Sequence, residues 1–317
     1  MPGMFKIISP GLLTTVQDLG RYGYQKYGMT PAGAMDPFAI QVGNLLLGND
    51  IGEAALEINY LGPTVEFLED TIVAITGGDL SPVVDGNPLP MWEVVCIKKG
   101  QVLSFGQIKN GCRAYIAVAG GIDVPVVMGS KSTFLRGKIG GFKGRQLLAG
   151  DIVCSGNLPA RAWKRLGNRL PEKLIPCYSG KESLRVVMGP QDDYFTDTAL
   201  KTFLTSTYTV SIKSDRMGYR LEGPELEHKD TADIISDGVP LGAVQVPGDG
   251  KPIILLADRQ TTGGYTKIAT VISVDIPALA QLKPGDSICF EKVTVDRAHQ
   301  LWHQHRAVID KLISIFT

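Results

Sequence analysis

Short runs in which apolar residues alternate with polar ones, or stand together unbroken, recur along the chain between glycines, prolines and asparagines. Examples are TIVAITG at 71–77, EVVCIKKG at 93–100, CRAYIAVAGG at 112–121, LRVVMG at 184–189, AVQVPG at 243–248, PIILLAD at 252–258 and KIATVISVD at 267–275. A period of two, enrichment in Val, Ile, Tyr and Phe, and turn residues at each end predict strands, and their even spacing predicts barrels or sandwiches. Helical periodicity is confined to three places. Asp36 is placed to cap a helix that opens with Pro37 and stops at Gly48 or Asn49. A second helix is expected over 192–204, with Phe195, Leu200, Phe203 and Leu204 on its apolar side, and a third over 296–316, with Leu301, Val308, Leu312 and Ile315 at helical spacing.

The length, 317 residues, exceeds what one domain of roughly 100–200 residues holds, so two are expected. The stretch 157–182 carries three prolines and many cations and lacks strand alternation. It reads as a linker between an N-terminal β-barrel domain at 1–156 and a C-terminal one at 183–295, followed by the helix at 296–317. Leu148-Ala149-Gly150-Asp151-Ile152 and Leu282-Lys283-Pro284-Gly285-Asp286-Ser287-Ile288 each feed a Gly-Asp turn into a final strand, a short hint of two related barrels.

The formal net charge is zero, which argues against a generic nucleic-acid or anionic-membrane binder. No apolar stretch approaches the ~20 residues that span a bilayer, and MPGMFKIISPG lacks the basic flank and apolar core of a secretory signal, so a cytoplasmic protein is expected. The five cysteines are scattered without a CxxC pair, which gives neither a disulfide framework nor a zinc knuckle.

Four stretches combine glycine with functional side chains. In TTVQDLGRYGYQKYGMTPAGAMD, at 14–36, Gln17, Asp18 and Arg21 lie among glycines ahead of the helix capped by Asp36. A ligand can approach such backbone closely; the alternative is a glycine-rich loop with a surface ion pair. MGSKSTFLRGKIGGFKGRQ, at 128–146, holds Lys131, Arg136, Lys138, Lys143 and Arg145 without an acid. It reads as a binder of carboxylate or phosphate, or else as a solvated basic loop. Its GSKST lacks the Gly-Lys pair of a P-loop, which excludes nucleotide binding through that motif. SDRMGYRLEG, at 214–223, places Asp215, Arg216 and Arg220 around Gly218. SDGVPLGAVQVPGDGKPIILLADRQTTGGYT, at 236–266, sets Asp237 before one strand, Gln245 within the next and Asp258-Arg259-Gln260 at the end of a third. Strand ends at a barrel mouth can hold distant side chains around one pocket.

Other chemistries find little support. His299 and His303 have the spacing of two zinc ligands on a helix, but there is no HExxH and no evident third ligand, so an exposed helix face is expected and no metal. No GxSxG elbow occurs, and His228 lies in a charged loop.

With these segments in place, the chain resembles the biotin-dependent carboxyltransferase-like family. Within it, the likeness is to the C-type subunits of 5-oxoprolinase, also described as kinase-inhibitor antagonists and related to the carboxyltransferase region of urea carboxylase and urea amidolyase. The motifs PGLLTTVQDLGRYGYQKYGMTPAGAMD, TGGDLSP, VAGGIDVPVVMGSKSTFLRGKIGGFKGRQLLAGD, SDRMGYRLEG and SDGVPLGAVQVPGDGKPIILLADRQTTGGYTKIATV carry the match over most of 10–292. The resemblance implies cyclophilin-like β-barrels, a site completed by a partner subunit that carries another such barrel, and as partners the kinase-inhibitor-like and the lactam-utilisation-type subunits of 5-oxoprolinase. Together the three would open 5-oxoproline to L-glutamate with ATP used at the level of the complex. No Met-Lys-Met occurs, so no covalently attached biotin is expected in this chain. A regulatory protein that antagonises a kinase-inhibitor-like partner, or a carboxyltransferase component acting on a urea-like amide, are the alternatives.

Lactams and urea share an N–C=O unit. A site acting on it must donate hydrogen bonds to the oxygen and accept from the nitrogen. Arg259 and Gln260 are candidates for the first task and Asp258 or Asp18 for the second. Arg21, Arg136, Arg145 and Arg216 are candidates to hold the substrate's carboxylate, with Gln17 and Gln245 as further contacts.

Overall fold

Strands form where the alternation lies between turns, and helices where a cap and a stop bracket the apolar face. In a computed structural model, which describes residues 3–316, the chain divides into two units, the first holding Ala32–Tyr178 together with residues up to Arg21 and from Asp310 on. The second unit comprises Tyr22–Pro31 and Ser179–Ile309.

The strands of the first unit are β1 (Met4–Ser9), β2 (Leu13–Gln17), β3 (Ala55–Asn59), β4 (Thr64–Phe67), β5 (Thr71–Asp79), β6 (Pro82–Val84), β7 (Asn87–Pro88), β8 (Val94–Ile97), β9 (Val102–Phe105), β10 (Asn110–Val118) and β11 (Ile152–Cys154). They sort into a sheet of order β11-β1-β4-β9-β6-β7 and another of order β2-β3-β10-β5-β8. Phe5, Ile7, Phe67 and Leu103 from the first and Val16, Leu56, Ile75 and Ile116 from the second share one buried core. Helix α1 (Pro37–Leu47) starts and stops as expected: Asp36 Oδ1 accepts from the Ala39 amide at 3.0 Å, and Gly48 takes the left-handed conformation at φ 75°. Gly43 lets the helix settle on β5 and β10, because a Cβ there would meet Ala117 Cβ at 3.0 Å and Thr76 Oγ1 at 3.2 Å.

The second unit is built from β12 (Lys181–Met188), α2 (Asp197–Thr205), β13 (Tyr208–Val210), β14 (Gly218–Glu222), β15 (Asp233–Gly238), β16 (Ala243–Val246), β17 (Ile253–Leu255), β18 (Thr262–Val271), α3 (Ile276–Ala280) and β19 (Ser287–Lys292). The sheet runs β12-β19-β13-β14-β17-β16-β18, and β18 pairs back onto β12 through Val271, Thr270 and Ala269, closing a barrel of seven strands. β15 takes the rest of the same edge of β18. Helix α4 (Val295–Phe316) follows. The mainly-β class with a few helices is therefore the observed one, and no helix is long and apolar enough to cross a membrane among the described residues.

The differences from expectation are local. α2 starts at Asp197, because Thr196 is extended and its Oγ1 caps the Ala199 amide at 3.1 Å. Phe195 thereby leaves the helix and its ring lies 4.5 Å from that of His228. α3, a five-residue helix with Pro277 in its first turn, is too short to show periodicity. On α4 the buried residues are Ile309 and Leu312, whereas Ile315 is exposed, so the apolar face is rotated from the expected stripe. Within 157–182, Ala162, Leu170 and Tyr178 are buried and two short 3-10 turns form.

Asp36 also accepts from the Tyr178 hydroxyl at 3.1 Å. Asp36→Ala should therefore lower unfolding free energy by about 1–2 kcal/mol in urea denaturation. Asp36→Asn, which keeps a capping oxygen, should retain most of that stability.

Candidate functional site

The central groups come from β16 and β18. Gln245 stands opposite Lys267 in the β16–β18 register, so both side chains leave the sheet on one face. Gln260 Nε2 donates to Gln245 Oε1 at 3.4 Å, and Gln245 Nε2 donates to the Tyr265 carbonyl at 3.4 Å. Both bonds are longer than the usual ~2.7–3.2 Å, so the two carboxamides hold one another loosely and keep capacity for a ligand. They line a cavity of about 270 Å³ together with Tyr265, Met217, Leu255 and Arg220. Gly263 is required beside it: a Cβ there would stand 2.6 Å from Gln245 Nε2 and 3.2 Å from Val239 Cγ2.

The triplet Asp258-Arg259-Gln260 splits three ways. Asp258 receives Arg216 through two bonds, Nε to Oδ2 at 3.0 Å and Nη2 to Oδ1 at 3.1 Å, both side chains being more than nine-tenths buried. The Asp258 amide also donates to the Arg216 carbonyl at 2.9 Å, so the pair ties the loop before β14 to the loop after β17. Its oxygens face a guanidinium. Arg259 turns instead to backbone, with Nε donating to the Val239 carbonyl at 3.0 Å and Nη1 to that of Leu256 at 3.3 Å. Burial pulls its pKa below the ordinary guanidinium value, against the opposing influence of the Tyr22 phenol. Gln260 alone of the three lines the cavity.

Lys267 was not singled out by its sequence context, although a lysine heading the apolar run IATVISV is a visible signal. It is 2% exposed, and its Nζ reaches Asp237 Oδ2 at 3.3 Å, a carboxylate that itself stands in solvent. The Gly238 amide, and after it the Lys267 ammonium, hold Asp237 below the usual carboxylate range.

In the first unit the predicted residues Gln17, Asp18 and Arg21 do come together, around the loop 127–133. Asp18 accepts from the Gly20 amide at 2.8 Å, Ser130 Oγ at 2.7 Å, the Lys131 amide at 2.6 Å and Ser132 Oγ. Arg21 Nε donates to the Val127 carbonyl at 2.9 Å and Nη2 to that of Ser132 at 2.8 Å, while Gln17 Nε2 donates to the Thr133 carbonyl at 3.2 Å. This is a knot that fixes the loop on the end of β2. The basic stretch 128–146 does not act as one patch. Arg145 grips Asp151 at 2.6 and 2.8 Å and holds that carboxyl below its usual range, and Arg136 is exposed. Lys143 lines a second cavity of about 370 Å³ with Val127, Asp123 and the glycines at 140, 141 and 144. His299 and His303 face a groove beside Trp302, and no group of three metal-ligating side chains gathers among the described residues.

Residues 27–292 match the family described as carboxyltransferase domain, subdomain A and B. The chain is 40% identical to the C-type subunit of 5-oxoprolinase from Escherichia coli (strain K12), over 93% of each chain. It is 36% identical to the corresponding 5-oxoprolinase protein of Haemophilus influenzae, over 98% of this chain and 97% of that one. The crystal structure of the K. lactis urea amidolyase superposes with a TM-score of 0.91 at 32% identity, covering 100% of this chain and 20% of that one.

The buried Arg216–Asp258 pair gives a stability test that leaves ligand chemistry aside. Arg216→Ala should destabilise the fold by about 3–5 kcal/mol, because a buried carboxylate loses its cation, while an Arg216→Met, Asp258→Leu double variant should recover part of the loss. Denaturant midpoints of the three proteins check this.

Proposed function

The chain belongs to the carboxyltransferase domain family of subdomains A and B, and on that premise we propose that it works as one subunit of an ATP-dependent 5-oxoprolinase. The single observation that carries this reading is the likeness to the C-type 5-oxoprolinase protein over 93% of both chains, where the likeness to the urea amidolyase structure covers a fifth of it. In this reading two further subunits, one kinase-inhibitor-like and one of the lactam-utilisation type, complete the assembly, ATP is consumed at the level of the complex, and 5-oxoproline is opened to L-glutamate.

The carboxamide pair has the chemistry such a substrate asks for. Opening a lactam adds the oxygen of water to the carbonyl carbon and breaks the C–N bond, so negative charge gathers on the carbonyl oxygen and the nitrogen leaves with an added proton. A carboxamide matches an amide group for group: Nε2 donates to the lactam oxygen and Oε1 accepts from the lactam N–H. Gln245 and Gln260, joined by a bond of 3.4 Å, can exchange that weak contact for two contacts to a ligand. Neither carboxamide titrates, so the pair orients and polarises the amide, and the proton is moved by another group of the assembly.

The purified chain alone should therefore be silent, and glutamate should form from 5-oxoproline and ATP once the partner subunits are added. Gln245→Ala and Gln260→Ala should each lower the rate of the complex on the order of 100-fold with melting temperature little changed. Gly263→Ala should lower it as well, by displacing the Gln245 amide. Robust turnover by the lone chain, or full activity of both glutamine variants, contradicts the reading.

A further inference from the structure

The arginines of this chain that were candidates for an anion are already engaged or exposed. Arg145 is neutralised by Asp151 and Arg216 by Asp258. Arg21 is spent on two carbonyls of the loop 127–133, and Arg136 stands exposed. Arg259 differs from Arg145 and Arg216 in having no carboxylate partner, and from Arg136 in being buried. It is 8% exposed, its bonds go to neutral carbonyls alone, and among the described residues no Asp or Glu lies within ion-pair distance of it. A desolvated cation without a counter-charge is unfavourable unless a ligand supplies one.

The guanidinium is also held still. The Arg259 amide donates to the Leu256 carbonyl at 3.1 Å, its carbonyl accepts from Thr30 Oγ1 at 3.0 Å, and Nε and Nη1 are anchored as described. Nη2 and the second hydrogen of Nη1 have no protein partner among the described residues. Nη2 thus keeps both of its hydrogens, and a guanidinium can pair through two parallel bonds with both oxygens of a planar carboxylate. One guanidinium balances one carboxylate charge, whereas a phosphate would bring a second charge into the same buried place.

We propose that Arg259 is a binding site for a small carboxylate, the acidic group of the ligand whose amide meets Gln245 and Gln260. Val239 joins the two places. Its carbonyl receives Arg259 Nε at 3.0 Å, and its Cγ2 lies 3.2 Å from the position a Cβ on Gly263 would take, which is itself 2.6 Å from Gln245 Nε2. A lactam bearing a carboxylate would place one end on each side of this contact. The identity of that carboxylate rests on the 5-oxoprolinase reading; the existence of the anion site does not.

The test follows the guanidinium by NMR in the full-length chain, with the Arg259 Nε resonance assigned by its loss in Arg259→Ala and with circular dichroism confirming that Arg259→Ala and Arg259→Lys are folded. Titration with 5-oxoproline and with acetate should shift this resonance saturably, while 2-pyrrolidinone, which has the lactam and no carboxylate, should leave it in place. Arg259→Ala should weaken 5-oxoproline binding about 10- to 100-fold, the range of a charge-assisted contact, and should leave 2-pyrrolidinone binding unchanged. Arg259→Lys should recover only part, since an ammonium cannot offer the planar edge. Saturation by acetate with no 5-oxoproline turnover in the reconstituted complex keeps the anion site and removes the lactam reading. A resonance that responds to inorganic phosphate alone, or to none of these probes, overturns the site.

Discussion

The pairing of β18 with three other strands is the constraint on which the second unit depends. One edge of this ten-residue strand carries β16, and the other carries β15 first and β12 after it. The β12 contact closes the barrel and leaves β15 as an appendage. The register to β16 slips once: Val244 faces Ala269 but Gln245 faces Lys267, so Ile268 is the extra residue. A bulge of this kind breaks the alternation and re-aims the side chains around it. As a result Thr266, Lys267, Ile268 and Ala269 are all buried in succession, and a lysine enters a place that strict alternation would have kept for an apolar residue.

That frame decides how charge is distributed. Where a carboxylate and an arginine pair, they meet with two bonds, as buried Arg216 does with Asp258 and partly exposed Arg145 with Asp151. These pairs are satisfied, and their work is to pin loops. Asp18 plays the same part with hydroxyls and amides in place of a guanidinium. Besides Gln17 Oε1, buried without a partner among the described residues of the first unit, four groups around the candidate site are incompletely paired: Arg259 with carbonyls alone, Lys267 with one solvated carboxylate at 3.3 Å, and the two loosely joined glutamines. All four belong to the barrel unit, and three of them lie within nine residues of one another. Unsatisfied capacity on a rigid frame is what a ligand site requires, because the frame prevents these groups from finding each other.

Glycine shapes that site by omission. The double glycine after the two threonines could be read as a turn, yet Gly263 lies inside β18 with its missing side chain turned toward Gln245 and Val239. The space it leaves is what allows a carboxamide to sit at the cavity wall.

Much of this was legible in the chain itself. The period of two, broken by turn residues, specified a mainly-β protein, and Asp36, Pro37 and Gly48 specified α1, because caps and strand alternation involve residues within a few positions of one another. The glycine-rich segments likewise marked Gln17, Asp18, Arg21, Gln245 and Gln260 as groups held near backbone. Which acid takes which base was not legible. Arg216 and Asp258 are 42 positions apart, and Asp18 and Ser130 are 112 apart, and nothing local to either partner states the choice. Nor could Asp258, Arg259 and Gln260, neighbours in the chain, be seen to part toward an arginine, two carbonyls and a glutamine. Those destinations are set by the closure of the barrel and its single slipped register, which fix the direction of each side chain only when strands distant in sequence have paired.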